Sequence, residues 1–152
     1  MLHVVLIEPE IPPNTGNIAR LCLAAGARLH LVEPLGFSLD DKALQRAGMD
    51  YWHEVDVRRW PDFAALQAEA GPAARFFFLT TKTRRVYWTA HFRDGDYLVF
   101  GRETRGLPES LLAANEPDCL TIPMTDEARS LNLATAAGIA LYEAKRQIAM
   151  AS

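Results

Sequence analysis

Five short apolar runs recur along the chain, and stretches with helical spacing of apolar residues separate them. The runs cover residues 2–7, 28–32, 76–80, 97–100 and 119–122. Most are continuous rather than alternating, which is typical of parallel strands that are covered on both faces. The pattern therefore predicts five buried strands of a parallel β-sheet.

The predicted helices cover residues 17–25, 41–48, 61–70, 108–114 and 131–148. Residues that favour helix ends stand beside them: Gly26 follows the first, Pro108 opens the fourth and Ser130 precedes the last as an N-cap. Strands that alternate with helices predict an α/β fold, here a single domain over residues 1–152 without a linker or an internal repeat.

The last predicted helix is the longest, and it carries an apolar stripe. The stripe consists of Leu133, Ala137, Leu141, Ala144 and Ile148. Small residues lie beside it, and small side chains permit close approach of another element. The helix therefore either packs deep in the domain or meets a partner subunit, and the sequence leaves both alternatives open.

Composition places the chain among soluble globular proteins, because 49% of its residues are hydrophobic and 23% are charged. Its net charge of −3 does not indicate nucleic-acid binding, although a local basic patch binds phosphate even on an acidic protein. The candidates for such a patch are Arg58, Arg59, Arg75, Arg84 and Arg85. Solvated loop charges are the alternative interpretation of each.

Several missing patterns narrow the class of protein. Cys22 and Cys119 stand far apart and the histidines lack metal-ligand spacing, so the sequence predicts neither a disulfide framework nor a metal site. Isolated cysteines suit a reducing compartment. No segment has the length of a transmembrane helix or the pattern of a signal peptide, so we expect a cytoplasmic protein.

The turn after the first strand, "EPEIPPNTGNIARLC", holds the first candidate chemistry. Its prolines stiffen the chain, Asn14 or Thr15 is a potential helix cap, and Gly16 allows an unusual backbone angle. A helix start with free N–H groups predicts an anion site.

Arg20 follows this turn, and we expect it near the start of the predicted helix. The helix dipole disfavours positive charge there, so this placement suggests a ligand for Arg20. A salt bridge to Glu8 or Glu10 is an equal alternative.

The segment "YLVFGRETRGLP" places Glu103 and Arg105 between Gly101 and Gly106, directly after an apolar strand. Loops at the carboxyl ends of parallel strands are the usual ligand sites of open α/β sheets. The chain has neither GxGxxG nor GxxxxGK[ST], so the familiar nucleotide-binding loops are absent. A nucleotide-dependent oxidoreductase is therefore disfavoured.

The segment "LTIPMTDEARSLNLATAAGIALYEA" joins the end of a strand to the start of the long helix. Ser130 and Asn132 stand at that helix start as candidate ligand contacts. Local capping of the helix is the alternative for both residues.

These three segments, in this order, resemble the motifs of the SPOUT superfamily of S-adenosylmethionine-dependent RNA methyltransferases, and within it the TrmH-type ribose 2′-O-methyltransferases. "NTGNIAR" resembles the first motif, N-x-G-N-x-x-R, while "FGRETRGLP" resembles the second and "IPMTDEARSLNLATAAGIALYE" the third. The match covers essentially the whole chain. The segments "HVVLIEPEIPPNTGNIARLC" and "EPLGFSLDDKALQRAGMDYW" are similar to members that methylate the tRNA wobble nucleotide, C34 or a modified U34.

The resemblance implies a parallel sheet with a C-terminal deep trefoil knot, a homodimer, and S-adenosylmethionine bound in the knot loops, with S-adenosylhomocysteine as product. By position, the cofactor-binding residues would be Leu79, Thr80, Thr81, Phe100, Gly101, Arg102, Glu103, Gly106, Ile122, Pro123, Met124, Ser130 and Leu131. Arg102 departs from the family, because close relatives often have proline there.

The resemblance also implies a catalytic role for Arg20. A guanidinium stays charged, so Arg20 would hold the phosphate beside the target ribose and stabilise the 2′-oxygen as its proton leaves. Asn14 or Asn17 would orient Arg20 or the ribose. Glu103 would pair with Arg20 or Arg105.

Three further residues complete the implied site. Ser130 and Asn132 would border the methyl donor. Tyr142 would reach the active site of the partner subunit, and a packed core tyrosine is the alternative.

The implied partners are the anticodon loop of tRNA and a second copy of the chain, with neither a metal nor a membrane. Loop arginines would contact phosphate, and Trp52, Trp60 or Trp88 would stack on a base. Two alternatives to wobble methylation remain: a 2′-O-methyltransferase for another tRNA or rRNA nucleotide, and a non-catalytic RNA-binding dimer.

Overall fold

The computed structural model describes residues 1–48 and 51–151, and its strands are all parallel. They are β1 (His3–Ile7), β2 (Arg28–Val32), β3 (Val57–Trp60), β4 (Phe76–Leu79), β5 (Tyr97–Phe100) and β6 (Cys119–Leu120). The predicted α/β class with a parallel sheet is confirmed. Met49, Asp50 and Ser152 of the predicted domain lie outside the described residues.

The helices are α1 (Pro12–Ala25), α2 (Lys42–Ala47), α3 (Phe63–Ala70), α4 (Glu109–Ala114) and α5 (Leu133–Ala151). Short 3-10 turns add Tyr51–Glu54, Tyr87–Thr89 and Glu116–Asp118. Every predicted helix is present, with shifted ends. In the part of the chain that the structure describes, no helix is long and apolar enough to span a membrane.

Strand β3 is the element that the apolar pattern does not predict. It pairs only with β2 at the edge of the sheet, and its two central residues, Arg58 and Arg59, are exposed. An edge strand with exposed charges has no continuous apolar run, so the criterion that identifies buried strands does not detect it.

The first helix begins five residues before the predicted start, because Pro12 and Pro13 occupy its first two positions. Proline suits those positions, since its missing N–H has no helical partner there. Asn14 and Thr15 are consequently buried inside the helix, and Ile11 is the N-cap without a side-chain bond. The prediction that Asn14 or Thr15 caps the helix is wrong.

Gly16 also has a role different from the predicted one. It is helical, and a Cβ atom there would lie 2.1 Å from the carbonyl oxygen of Leu44. Gly16 therefore permits α2 to pack closely against α1, rather than providing an unusual backbone angle. By contrast, Gly26 ends α1 with a left-handed φ of 71°, as predicted.

The last helix begins at Leu133, so Ser130 is not its N-cap. Asn132 caps it instead, because its Oδ1 accepts a hydrogen bond from the backbone N–H of Thr135 at 3.2 Å. The apolar stripe of α5 faces the core, with Leu141 and Ala144 fully buried. The stripe therefore packs deep in the domain, which is one of the two alternatives that the sequence leaves open.

Two apolar layers cover the sheet. On one face, Val4 and Leu6 of β1 pack with residues of α1 and α5. On the other face, Val5 and Ile7 pack with Leu66 of α3 and with partly buried residues of α4. The alternation of neighbouring residues between the two layers explains why the central strands read as continuous apolar runs.

The strand order is β3-β2-β1-β5-β4-β6. The chain first builds outward from β1 to β3, then crosses to the other side and inserts β5 next to β1. Loops that follow neighbouring strands on opposite sides of such a reversal leave a crevice between them. The turn after β1 and the loop after β5 therefore lie side by side.

Candidate active site

A cavity of about 550 Å³ opens at the carboxyl ends of β4, β5 and β6, beside the starts of α1 and α5. Every predicted cofactor residue except Pro123 lines it: Leu79, Thr80, Thr81, Phe100, Gly101, Arg102, Glu103, Gly106, Ile122, Met124, Ser130 and Leu131. The three motif segments therefore converge on one site, although they are far apart along the chain.

The predicted catalytic residues divide into two groups. Those that line the cavity are Asn14, Glu103, Ser130 and Asn132. The structure does not bring Arg20, Asn17 or Tyr142 into it, and all three are exposed on the surfaces of α1 and α5. Arg20 is the ninth residue of α1, so its predicted place near the helix start is wrong.

Glu103 holds the turn after β1. Its Oε1 accepts a hydrogen bond from the N–H of Glu10 at 2.9 Å, and its Oε2 accepts one from the N–H of Ile11 at 2.8 Å. Within the described residues of one chain, Glu103 forms no ion pair with Arg20 or Arg105. The N–H groups of the turn just before α1 therefore bind a carboxylate of the chain itself, while the first two helical positions are prolines without an N–H.

The residues on either side of Glu103 bind the same turn. The guanidinium of Arg102 forms an ion pair with Glu8. The N–H and the hydroxyl of Thr104 both donate to Oε1 of Glu10, at 3.1 and 2.8 Å, and these bonds are the main reason that the pKa of Glu10 is lowered. Among the described residues, Arg20 forms no salt bridge with either glutamate, so the salt-bridge alternative is also wrong.

Asn14 connects the three motif segments. Its Nδ2 donates to Oε2 of Glu103 at 3.3 Å, and its Oδ1 accepts from Nδ2 of Asn132 at 3.0 Å. Asn14 is 7% exposed, so the free energy of leaving either amide atom without a partner would be high. Its burial and its two partners fix the start of α5 against the start of α1.

The cavity wall at the end of β5 requires glycine. A Cβ atom at Gly101 would lie 2.1 Å from the carbonyl carbon of Gly106 and 2.3 Å from the nitrogen of Leu107. The loop closes on itself there, because Arg102 and Gly106 exchange backbone hydrogen bonds of 3.2 and 2.8 Å. Gly106 has a left-handed φ of 67°.

The arginines predicted for a phosphate patch are mostly paired with acids. The pairs are Arg58–Asp56, Arg59–Glu33, Arg75–Asp96 and Arg85–Glu116. Arg84 is exposed and has no ion pair in the part of the chain that the structure describes. Most of this predicted patch therefore consists of charges that are already neutralised.

The predicted cavity contacts omit three charged residues that line it: Lys82, Arg105 and Arg129. Each stands next to a predicted contact in the chain. Position next to a predicted contact is therefore the only feature of the sequence that points to these three residues. It does not show whether a side chain lines the cavity or faces away from it.

Comparisons with known proteins agree with this geometry. A family model described as "SpoU rRNA Methylase family" matches residues 1–142. The chain is 51% identical over 149 residues to a protein of Escherichia coli (strain K12) named "tRNA (cytidine(34)-2'-O)-methyltransferase", and the match covers 97% of this chain and 94% of that protein.

Solved structures extend the likeness to the fold. One, described as "Structural insights into the 2-OH methylation of C/U34 on tRNA", is 53% identical with a TM-score of 0.90, covering 97% of this chain and 95% of that one. An AdoMet-bound rRNA methyltransferase from Sinorhizobium meliloti is 28% identical with a TM-score of 0.85, covering 95% of this chain and 56% of that one. The predicted family relationship is confirmed, and this chain belongs to the SpoU rRNA methylase family.

Proposed function

We propose that this chain is an S-adenosylmethionine-dependent methyltransferase that modifies the ribose 2′-hydroxyl of nucleotide 34 in tRNA. The observation that carries the proposal is the convergence of the three motif segments on one cavity, fixed by the contacts of Asn14 with Glu103 and Asn132. The sequence resemblance to the TrmL group of wobble methyltransferases and the name of the Escherichia coli relative support this substrate.

The cavity residues fit the proposed cofactor. Apolar walls from Leu79, Phe100 and Ile122 suit an adenine ring, and the hydroxyls of Thr80 and Ser130 suit its polar groups. The volume of about 550 Å³ is in the range of small-ligand pockets. When bound, S-adenosylmethionine supplies an electrophilic methyl group, so the remaining work of the protein is to orient the hydroxyl and assist loss of its proton.

Arg20 is our candidate for that work. Its guanidinium would bind the phosphate beside the target ribose and stabilise negative charge on the 2′-oxygen. Asn17 lies almost one turn before it on the same helix and is exposed as well, so it would orient Arg20 or the ribose.

A homodimer would complete the site. Arg20, Asn17 and Tyr142 are exposed and outside the cavity of their own chain, and Tyr142 retains 46% exposure. A second copy would bring these residues of one subunit to the cavity of the other. We propose accordingly that the enzyme acts as a dimer, in the cytoplasm, and that it binds the anticodon loop of tRNA.

We also propose that residues 1–152 act as one methyltransferase domain with a C-terminal trefoil knot. The support is the resemblance of the three motif segments to the SPOUT superfamily, for which this knot is expected, together with the insertion of β5 between β1 and β4.

Methyl transfer to tRNA transcripts tests this function. We expect transfer from labelled S-adenosylmethionine to transcripts with C34 or U34, and loss of labelling when a 2′-deoxynucleotide replaces nucleotide 34. Labelling that persists with the deoxy substitution would place the reaction at another nucleotide.

The Arg20→Ala variant tests the catalytic assignment. We expect at least about a hundredfold lower turnover, which is the usual effect of removing one charge-stabilising group. Calorimetry should show S-adenosylhomocysteine binding within about twofold of the wild type, because Arg20 is outside the cavity of its own chain and its proposed ligand is the RNA phosphate. Near-normal turnover would show that Arg20 is not a catalytic residue.

A further inference from the structure

The charge of the cavity is opposite to the charge of the chain. Its lining includes the cations Lys82, Arg102, Arg105 and Arg129, together with the acid Glu103. The chain as a whole has a net charge of −3. Positive charge concentrated at one cleft of an acidic protein is typical of a site for an anionic ligand.

Two of these cations already have acidic partners. Lys82 pairs with Glu109 at 3.3 Å, and Arg102 pairs with Glu8. Neither acid lines the cavity, so each pair ties its cation to a residue outside the wall. Arg102 is held by the partly buried Glu8, whereas the exposed pair of Lys82 with Glu109 is weak.

Arg105 and Arg129 are different. Both are exposed, and within residues 1–48 and 51–151 neither forms an ion pair or a hydrogen bond through its guanidinium. The two hydrogen bonds from Thr104 are the main cause of the lowered pKa of Glu10 and Arg105 contributes less, and Glu10 accepts those bonds rather than forming an ion pair with Arg105. Two free guanidinium groups therefore line one cavity from two different loops.

The proposed cofactor does not account for these charges. S-adenosylmethionine carries a sulfonium, an ammonium and one carboxylate, so it is itself net positive. Two unpaired arginines at its site would weaken its binding unless another ligand carries negative charge. A strand of RNA provides this charge, and arginine binds phosphate through its planar set of N–H donors.

We infer that Arg105 and Arg129 are the RNA-contacting residues of the cavity rim, each binding a backbone phosphate near the ribose to be methylated. The inference rests on the proposed function and adds to it the residues that would hold the substrate. Phosphate contacts position the strand without reading its sequence. The same two residues would therefore act on any transcript that enters the site.

Binding of a tRNA transcript at a series of KCl concentrations, with S-adenosylhomocysteine saturating, tests the inference. The variants are Arg105→Gln, Arg129→Gln and the two changes together. The matched control is Arg93→Gln, because Arg93 is also exposed and without an ion pair in the described residues, but it precedes the amino end of β5, whereas the cavity lies at the carboxyl ends of the strands. Each change removes one positive charge.

We expect each rim variant to lower the slope of log affinity against log salt by about 0.7 to 0.9, which corresponds to about five- to eightfold weaker binding at 0.1 M KCl relative to 1 M. Arg93→Gln should change neither quantity. Arg105→Lys and Arg129→Lys should keep the salt slope, because they keep the charge. Affinity for S-adenosylhomocysteine without RNA should stay within about twofold for all variants.

Two results would overturn the inference. One is rim variants that match Arg93→Gln in affinity and slope. The other is weaker binding of S-adenosylhomocysteine alone, which would assign these arginines to the cofactor carboxylate. Failure of the proposed function is distinguishable from both, because wild-type protein would then transfer no methyl group to the transcript.

Discussion

Asn14 and Asn132 lie 118 positions apart in the chain, and their side-chain amides are joined by a hydrogen bond of 3.0 Å. Asn14 also donates to Glu103, so one buried amide links the start of α1, the start of α5 and the loop after β5. This arrangement requires a donor from Asn132 and an acceptor from Glu103. Reversing the polarity at Asn132 leaves two oxygen atoms facing each other, and reversing it at Glu103 leaves two N–H groups facing each other.

Asn132→Asp tests that polarity. The carboxylate keeps the acceptor that caps α5 at Thr135, but it has no donor for Asn14. If the Asn14 amide turns over, its oxygen then faces Glu103. We therefore expect a loss of about 1 to 3 kcal/mol of unfolding free energy, because the buried Asn14 oxygen has no donor in either orientation, and at least about tenfold lower methyl transfer.

Asn132→Ala is the matched control, because it removes the cap as well as the donor. We expect it to lose about 1 kcal/mol more unfolding free energy in urea than Asn132→Asp, in addition to activity. Equal stability of the two variants would show that Asn132 does not cap α5. Normal activity of Asn132→Asp would show that the Asn14 contact is dispensable.

Glu103→Gln should destabilise the protein. The carboxylate accepts from two backbone N–H groups and from Asn14, and a glutamine amide would direct N–H atoms at one of these donors. We expect a loss of about 1 to 3 kcal/mol in urea unfolding. Glu109→Gln is the control, because its side chain is 88% exposed and its pair with Lys82 contributes little. Equal effects of the two changes would contradict this account of Glu103.

Gly101→Ala should be among the most damaging single-methyl additions in the chain. The new methyl group would overlap the backbone of Gly106 and Leu107, which cannot move as a flexible side chain does. We expect a loss of about 3 kcal/mol or more, or failure to fold. Gly138→Ala adds the same methyl group inside α5, where its nearest neighbour is a Leu21 methyl carbon at 3.9 Å. That change should stabilise the protein by up to about 1 kcal/mol, measured by thermal unfolding.

A histidine pair on β1 and β2 should make folding sensitive to pH. The Trp60 Nε1–H donates to His30 Nδ1 at 2.9 Å, so neutral His30 carries its proton on Nε2 and donates it to His3 Nδ1 at 2.9 Å. Burial, with Arg28 and other neighbours adding, lowers the pKa of His3 to about 4 and that of His30 to about 3.

The unfolded chain binds protons at these histidines near pH 6.5, whereas the folded chain does not until about pH 4. Stability is therefore full above pH 6.5 and falls as the pH is lowered toward 4, by up to about 1.4 kcal/mol per pH unit for each histidine. Of the acids that face this pair, Asp56 has its pKa lowered chiefly by the hydrogen bond from Arg28, and Asp94 has its pKa lowered chiefly by the hydrogen bond from the N-terminal amine.

Urea unfolding at pH 7.5 and pH 5.0 measures this effect. Wild type and His91→Gln, which removes an exposed histidine, should lose the same amount of stability at pH 5.0. His3→Gln combined with His30→Gln should lose much less. A double variant with the full wild-type pH dependence would assign the effect to other groups.

Local sequence is a good guide to the buried elements. The apolar runs correctly predict β1, β2 and β5, and the apolar stripe correctly identifies the core face of α5. Local sequence fails where one pattern supports two structures. Pro12 and Pro13 are compatible both with a stiff turn and with a helix start, and the second is what forms.

The sequence does not predict which groups the charged side chains contact. The sequence predicts an arginine beside Glu103, yet this carboxylate binds the N–H groups of a turn 92 residues away. Thirteen arginines look equivalent in the sequence, and only their surroundings separate the paired Arg102 from the free Arg105.

The sequence by itself determined the fold class, the three motif segments and the family, because these depend on local spacing and on short residue patterns. The tertiary structure decided which charges are neutralised, where Arg20 stands on its helix, and how Asn14 reaches Asn132. Those relationships depend on the insertion of β5 beside β1. A contact between distant segments is set by the order of strands in the sheet, and no local pattern encodes that order.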